Sequence, residues 1–149
     1  MRHAIAIPIL VALSGAAGAT PAQRDAHMDD YLAIWSRNGA ITPAIVSRLY
    51  ARRVDYYGHA MSAEAVYRDK LAFTRAWPVR RYAAVPGTVT NDCGAGADRC
   101  RVTALMRWSR ADGAGHSASG TNSVRLDLAR QDGALKIVRE SGAPASGRR

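Results

Sequence analysis

Residues 49–82 read LYARRVDYYGHAMSAEAVYRDKLAFTRAWPVRRY, and this stretch decides the fold. Val54 and Tyr56 alternate with Asp55 and Tyr57, which predicts a short strand over residues 53–57. Gly58 breaks it. Ser62 then predicts the cap of a helix whose first turn carries Glu64, where the helix dipole favours an acid. Val66, Lys70, Phe73 and Trp77 share one stripe of that helix at helical spacing. Pro78 ends it, because the residue before a proline avoids helical geometry. A second strand opens at Arg80.

Working outward, Met28, Tyr31, Leu32 and Trp35 predict a first helix over residues 26–37, stopped by Asn38-Gly39. Thr42 and Pro43 start a second helix with Ile45, Val46, Leu49 and Tyr50 on its buried stripe. C-terminal to the key stretch everything reads as sheet. Residues 80–85 and 88–91 bracket Pro86-Gly87 as one bent strand. Val102, Ala104, Met106 and Trp108 alternate on the next, and Val124, Leu126 and Leu128 on the one after. Gln131-Asp132-Gly133 is a hairpin turn before the closing strand. The domain is read as residues 26–141, after a mobile leader at 20–25 and before a disordered polar tail at 142–149.

Arg2 and His3 precede an apolar run at residues 4–13, and Ala17-Gly18-Ala19 fits a small-residue cleavage rule. Residues 1–19 therefore read as a secretory signal peptide, too short for a membrane span. In the oxidising compartment this implies, Cys93 and Cys100 form a disulfide across a short turn, worth ~2–3 kcal/mol by loop-closure entropy. The expected location is periplasmic or secreted. Net charge is +9, or +8 without the leader, which holds Arg2 and no acid. Lysine occurs only at 70 and 136, so the basic balance is an arginine bias of the kind GC-rich coding produces. Nucleic-acid binding is not indicated.

The order helix–helix–strand–helix–long strands resembles the nuclear-transport-factor-2-like superfamily, the cystatin-like and SnoaL-like α+β cones. Leu49-Tyr50-Ala51, Val54-Asp55-Tyr56-Tyr57-Gly58, and Met61-Ser62 leading to Arg75-Ala76-Trp77-Pro78 carry the resemblance, which covers roughly residues 29–140. The cysteine pair in the following hairpin resembles secreted bacterial members. The resemblance implies a curved antiparallel sheet wrapped around three helices from the N-terminal half, with a pocket at the wide end. It also implies a possible homodimer through the open sheet face, marked by Met106 and Trp108 if these are exposed. Such cones host isomerases, dehydratases, ligand binders and adaptor domains. Their enzymes place a carboxylate and aromatic hydroxyls in the pocket, but no residue here aligns with one enzyme's catalytic set.

Asp55, on the strand beside the expected pocket, either faces solvent or pairs with a neighbouring arginine, or is the candidate general base, with Tyr57 or Tyr56 polarising a carbonyl. Lys70 stands on an apolar stripe in a chain that otherwise prefers arginine. It is expected either to pair with Asp55 or Glu140 or to hold a ligand anion. Tyr56, Trp77, Arg80 and Tyr82 complete the candidate ligand-binding set, with Arg80 able to grip a carboxylate or phosphate. His27, His59 and His116 have no metal-ligand spacing, and no cofactor motif is present. The sequence thus points to a non-catalytic domain of the bacterial cell envelope that binds a small ligand or a protein. The alternative is an isomerase or dehydratase using Asp55.

Overall fold

The structure, a computed structural model, describes residues 21–145, with side chains from His27 onward. The expected signal peptide and the last four residues lie outside the described residues. Helix α1 spans Pro21–Trp35 and α2 Pro43–Leu49. The Thr42 hydroxyl caps α2 by accepting from the Ile45 N–H at 3.2 Å, with Pro43 in the first turn. Strand β1 (Tyr50–Tyr56) follows without a linker, so Tyr50 begins the strand rather than ending the helix stripe. Tyr57 and Gly58 both take positive φ (51° and 83°), the two-residue turn that suits a tight hairpin. The chain folds back into β2 (His59–Ser62), a strand additional to the strand–helix order expected from the sequence. Ser62 then caps α3 (Ala63–Ala76), accepting from the Ala65 N–H at 3.1 Å.

Strands β3 (Val79–Ala84) and β4 (Thr90–Cys93) both pair with β5 (Arg99–Ala111), one behind the other along the same edge. Between them Gly87 takes φ 77°, and the Thr88 hydroxyl fills the gap in the ladder. It accepts from the Leu105 N–H at 3.1 Å and donates to the Val85 carbonyl at 2.7 Å. The proline–glycine bend is thus one interrupted strand. Cys93 and Cys100 face each other across the β4–β5 pair with their sulfurs at bonding distance. Strands β6 (Ser117–Gln131) and β7 (Ala134–Pro144) complete a meander, giving the order β2-β1-β7-β6-β5-β3.

Three expectations change. The sheet is mixed, because β1 lies parallel to β7 while every other pair is antiparallel. Partners some ninety residues apart leave no turn signal for their relative direction. The backbone of residues 21–25 is helical and continuous with α1. Strand β7 continues to Pro144, opposite Asn122, past the expected domain end at 141. No helix among the described residues is long and apolar enough to cross a membrane.

All three helices contribute to a core on the concave side. Met28, Leu32, Trp35, Val46 and Val66 meet Val102, Ala104, Val124, Leu126 and Ile137 there. Met106 and Trp108 also point inward. The Trp108 ring lies on Gly120, and its indole N–H donates to the Asn122 side chain at 3.0 Å, so these residues do not mark an outer dimer surface. Strands β6 and β7 approach tightly at Gly142, where an added Cβ would sit 2.4 Å from the Ser123 carbonyl oxygen. Gly142→Ala is expected to lower stability by roughly 1–3 kcal/mol through this overpacking. Chemical denaturation checks it, and an unchanged midpoint would show that the strands part at no cost.

Candidate functional site

The site begins with strand periodicity and one exception to it. On β7 Ile137 faces the core, so simple alternation would turn Arg139 inward and Glu140 outward. Instead the β6–β7 register slips between Asp127 and Leu128: Arg139 opposes Asp127 while Ile137 opposes Leu128, leaving Val138 as an extra residue. This bulge inverts the phase. Glu140 turns into the cone and is 1% exposed. Arg139 turns out to solvent.

Both Glu140 carboxylate oxygens are engaged. Lys70 on α3 donates to one at 2.9 Å, and the Tyr50 hydroxyl makes a short hydrogen bond to the other. The Lys70 side chain is 13% exposed and surrounded by rings. Its ammonium lies 4.3 Å from the centroid of Trp35, 5.2 Å from Tyr56, 5.7 Å from Tyr31 and 5.9 Å from Tyr50. Tyr31 and Trp35 come from adjacent turns of α1 and pack edge to face. Burial, then the Glu140 charge, pushes the phenols of Tyr31 and Tyr50 well above their usual range. Tyr56 shifts the same way for the same reasons, with Asp69, which accepts from its hydroxyl at 3.1 Å, adding to the effect.

Above this knot opens a cavity of about 220 Å³. Its wall includes Leu32, Tyr56, Tyr57, Phe73, Tyr82, Met106 and Val124, with Lys70, Glu140, Asp69 and Arg80 as its charged members. Arg80 is 5% exposed and ties two helix ends together. Its Nε donates to the Trp35 carbonyl at 3.1 Å, and Nη1 donates to Trp77 O at 2.6 Å, Thr74 O at 3.3 Å and Asn38 Oδ1 at 3.0 Å. Helix C-termini carry partial negative charge, which suits a cation there.

Of the residues singled out from sequence, Tyr56, Tyr57, Lys70, Arg80 and Tyr82 meet at this cavity. Tyr57 sits at the rim, 49% exposed. Asp55 does not line it. Its side chain lies on the convex face, where one oxygen accepts from Arg139 Nε at 2.7 Å and the other from the Gly58 N–H at 3.0 Å, holding the β1–β2 turn. The carboxylate inside the cone is Glu140, and Asp55 is not placed to act as a base on a guest of this cavity. Trp77 also stands outside the cavity wall and stacks on Arg110 at 4.3 Å. Glu140 is one of the two partners expected for Lys70 and is the one it takes, whereas Tyr31, Trp35 and Tyr50 read from sequence only as helix-stripe residues. The one sequence signal for this cluster was Lys70 itself, a lysine on an apolar stripe that needs an acid. Among the described residues no cluster of His, Cys, Asp or Glu could hold a metal.

Solved structures share this architecture. A nuclear-transport-factor-2-like superfamily protein from Salmonella enterica superimposes with a TM-score of 0.67 at 10% identity, covering 85% of this chain and 95% of that one. A Caulobacter vibrioides protein with a cystatin-like fold gives 0.66 at 11% identity, covering 82% and 87%. The fold is the nuclear-transport-factor-2-like cone. A Novosphingobium aromaticivorans protein described as a candidate scytalone dehydratase gives 0.62 at 10% identity, covering 83% and 86%. No family model and no curated protein matches the chain in sequence.

Two measurements test the knot. Removing one partner of a buried pair leaves the other charge uncompensated, so Lys70→Met or Glu140→Gln alone is expected to cost several kcal/mol, about 3–5 at most. The double variant should cost clearly less than the two single losses combined, and strict additivity would deny the coupling. Because the folded-state phenol pKa values of Tyr31 and Tyr50 lie above those of the unfolded chain, their contribution is complete below about pH 10 and is lost as pH rises past it. Absorbance titration should show these phenolates only together with alkaline unfolding. Their ionisation in the folded protein would contradict the assignment.

Proposed function

We propose that this cone is a small-ligand-binding domain of the bacterial cell envelope, acting without turnover. The observation that carries the reading is the state of Glu140. A proton-abstracting base needs a carboxylate oxygen turned to the substrate. Glu140 is the buried carboxylate of the cavity, and Lys70 and Tyr50 each hold one of its oxygens. Asp69, the other acid of the wall, is exposed and accepts from Tyr56.

What remains is a binding surface. Phe73, Met106, Tyr82 and Val124 offer apolar contact, and the tyrosine hydroxyls stay protonated donors at neutral pH. The volume lies below the ~300–1,000 Å³ of drug-sized ligand pockets, which suits a single ring or a short chain. The leader-like N-terminal sequence and the Cys93–Cys100 pair support an envelope location. The isomerase or dehydratase reading has no base in Asp55, which is paired with Arg139 outside the cone.

Amide NMR spectra recorded with phenol, indole and cyclohexanone test both halves. Shifts are expected at Tyr31, Trp35, Tyr82 and Val124, and shifts confined to the convex face would reject the cavity. In deuterated buffer the α-protons of cyclohexanone should exchange no faster with protein than without. Protein-dependent exchange that disappears in Glu140→Gln would establish proton abstraction and overturn the non-catalytic reading.

A further inference from the structure

The pairing of β3 with β5 places Arg80 directly opposite Arg110, and Tyr82 opposite Trp108. Like charges facing each other across a ladder repel. Neither guanidinium forms an ion pair with a carboxylate among the described residues, and each has a buried nitrogen without a hydrogen-bond partner: Arg80 Nη2 and Arg110 Nε. Arg110 is held by rings instead, 4.3 Å from Trp77, 5.3 Å from Trp108 and 5.6 Å from Phe73.

Arg80 has a structural duty, which is to join the ends of α1 and α3. That duty uses Nε and Nη1 alone. Nη2 takes no part in it, yet its two N–H groups are out of water, and an unmade buried hydrogen bond costs about 1–3 kcal/mol, more for a charged group. The residue lines the cavity, on the same strand face as Tyr82 and next to Thr74. Four acceptors on Nε and Nη1 fix the plane of the guanidinium, so only the side chains covering Nη2 have to part for an incoming acceptor to reach it.

We propose that the ligand is a small monocarboxylate with an apolar body, its acid group taken by Arg80 Nη2 and its body lying against Phe73, Met106 and Tyr82. The proposal rests on the cavity being a ligand site and adds the ligand's charge and orientation. A single negative charge fits better than a phosphate dianion. Lys70 is already neutralised by Glu140, and the carboxylates of Glu140 and Asp69 line the same cavity. A dianion would face both with one cation of the wall uncommitted, and with Arg110 behind it.

Calorimetric titration with benzoate and with benzamide, which share a ring and differ in charge, reads the proposal. Benzoate is expected to bind roughly 10- to 100-fold more tightly, the range of a charge-assisted hydrogen bond. Arg80→Gln should erase the preference. Because that change also strips a donor from two helix ends, Met106→Trp provides a second control: it fills the cavity and should abolish benzoate binding in a protein that keeps Arg80. Equal binding of acid and amide, both lost in Met106→Trp, would overturn the acid preference while leaving the cavity as a ligand site. Benzoate binding that survives Met106→Trp would place the anion elsewhere and defeat the proposal. Tighter binding of inorganic phosphate than of benzoate would reject the carboxylate. Failure of benzoate and benzamide together with the neutral fragments would remove the cavity reading as well.

Discussion

A carboxylate taken out of water governs this molecule. Glu140 costs several kcal/mol to desolvate, and only donors placed at both oxygens offset that. One donor comes from α3 and the other from the first residue of β1. Helix, entering strand and last strand must therefore meet at one point. Four aromatic rings around the Lys70 ammonium keep water from loosening the contact. A buried pair of this kind adds little net stability over an apolar substitute. It does penalise every arrangement that leaves one member alone, and so it selects the partner strand for β1.

The bulge at Val138 gives the same selection on the other side of the sheet. With Glu140 inside, Arg139 faces out and meets Asp55 of β1 at 2.7 Å and Asp127 of β6 at 3.9 Å. Asp127 continues the row to Arg101 of β5 at 3.0 Å. These residues are direct cross-strand partners, so opposite charges alternate across four strands. Burial works to raise the Asp127 pKa, yet the hydrogen bonds from Arg125 and Arg101 hold it below the usual carboxylate range. Slipping β7 by one residue would send Arg139 toward Lys70 and Glu140 out among the aspartates. Both errors are electrostatic, and together they add to the apolar pattern of β7 in pinning the register.

This explains what the sequence could and could not show. Helix caps at Thr42 and Ser62, the stop at Pro78 and the turn at Gly133 act over a few residues, and they are legible as such. Lys70 announces a buried acid because a lysine on an apolar stripe needs one, though the choice between Asp55 and Glu140 depends on which face each strand presents. For β1 that signal was available: Val54 is apolar, so its neighbour Asp55 belongs outside. For β7 it was not, since one bulged residue reverses every side chain after it and leaves no compositional mark. The parallel β1–β7 contact was equally hidden, as it joins chain segments with no shared turn. Arg80 was readable as a cation following a helix, but its hold on two helix ends required the α1 terminus beside it.

The two charged regions of the cavity wall differ in kind. At Glu140 every formal charge has its counterpart within the chain, and a ligand there would have to displace a partner. At Arg80 the chain satisfies two nitrogens with neutral carbonyl acceptors and leaves the third unmatched, with a second guanidinium behind it on the adjacent strand. Electrostatic asymmetry of this sort orients a guest before any shape matching does. The self-neutralised region can accept an uncharged or apolar end, and the unmatched region favours an acceptor. The knot that decides the fold thus also decides the polarity of the cavity, because fixing Lys70 on Glu140 leaves arginine as its uncommitted cation.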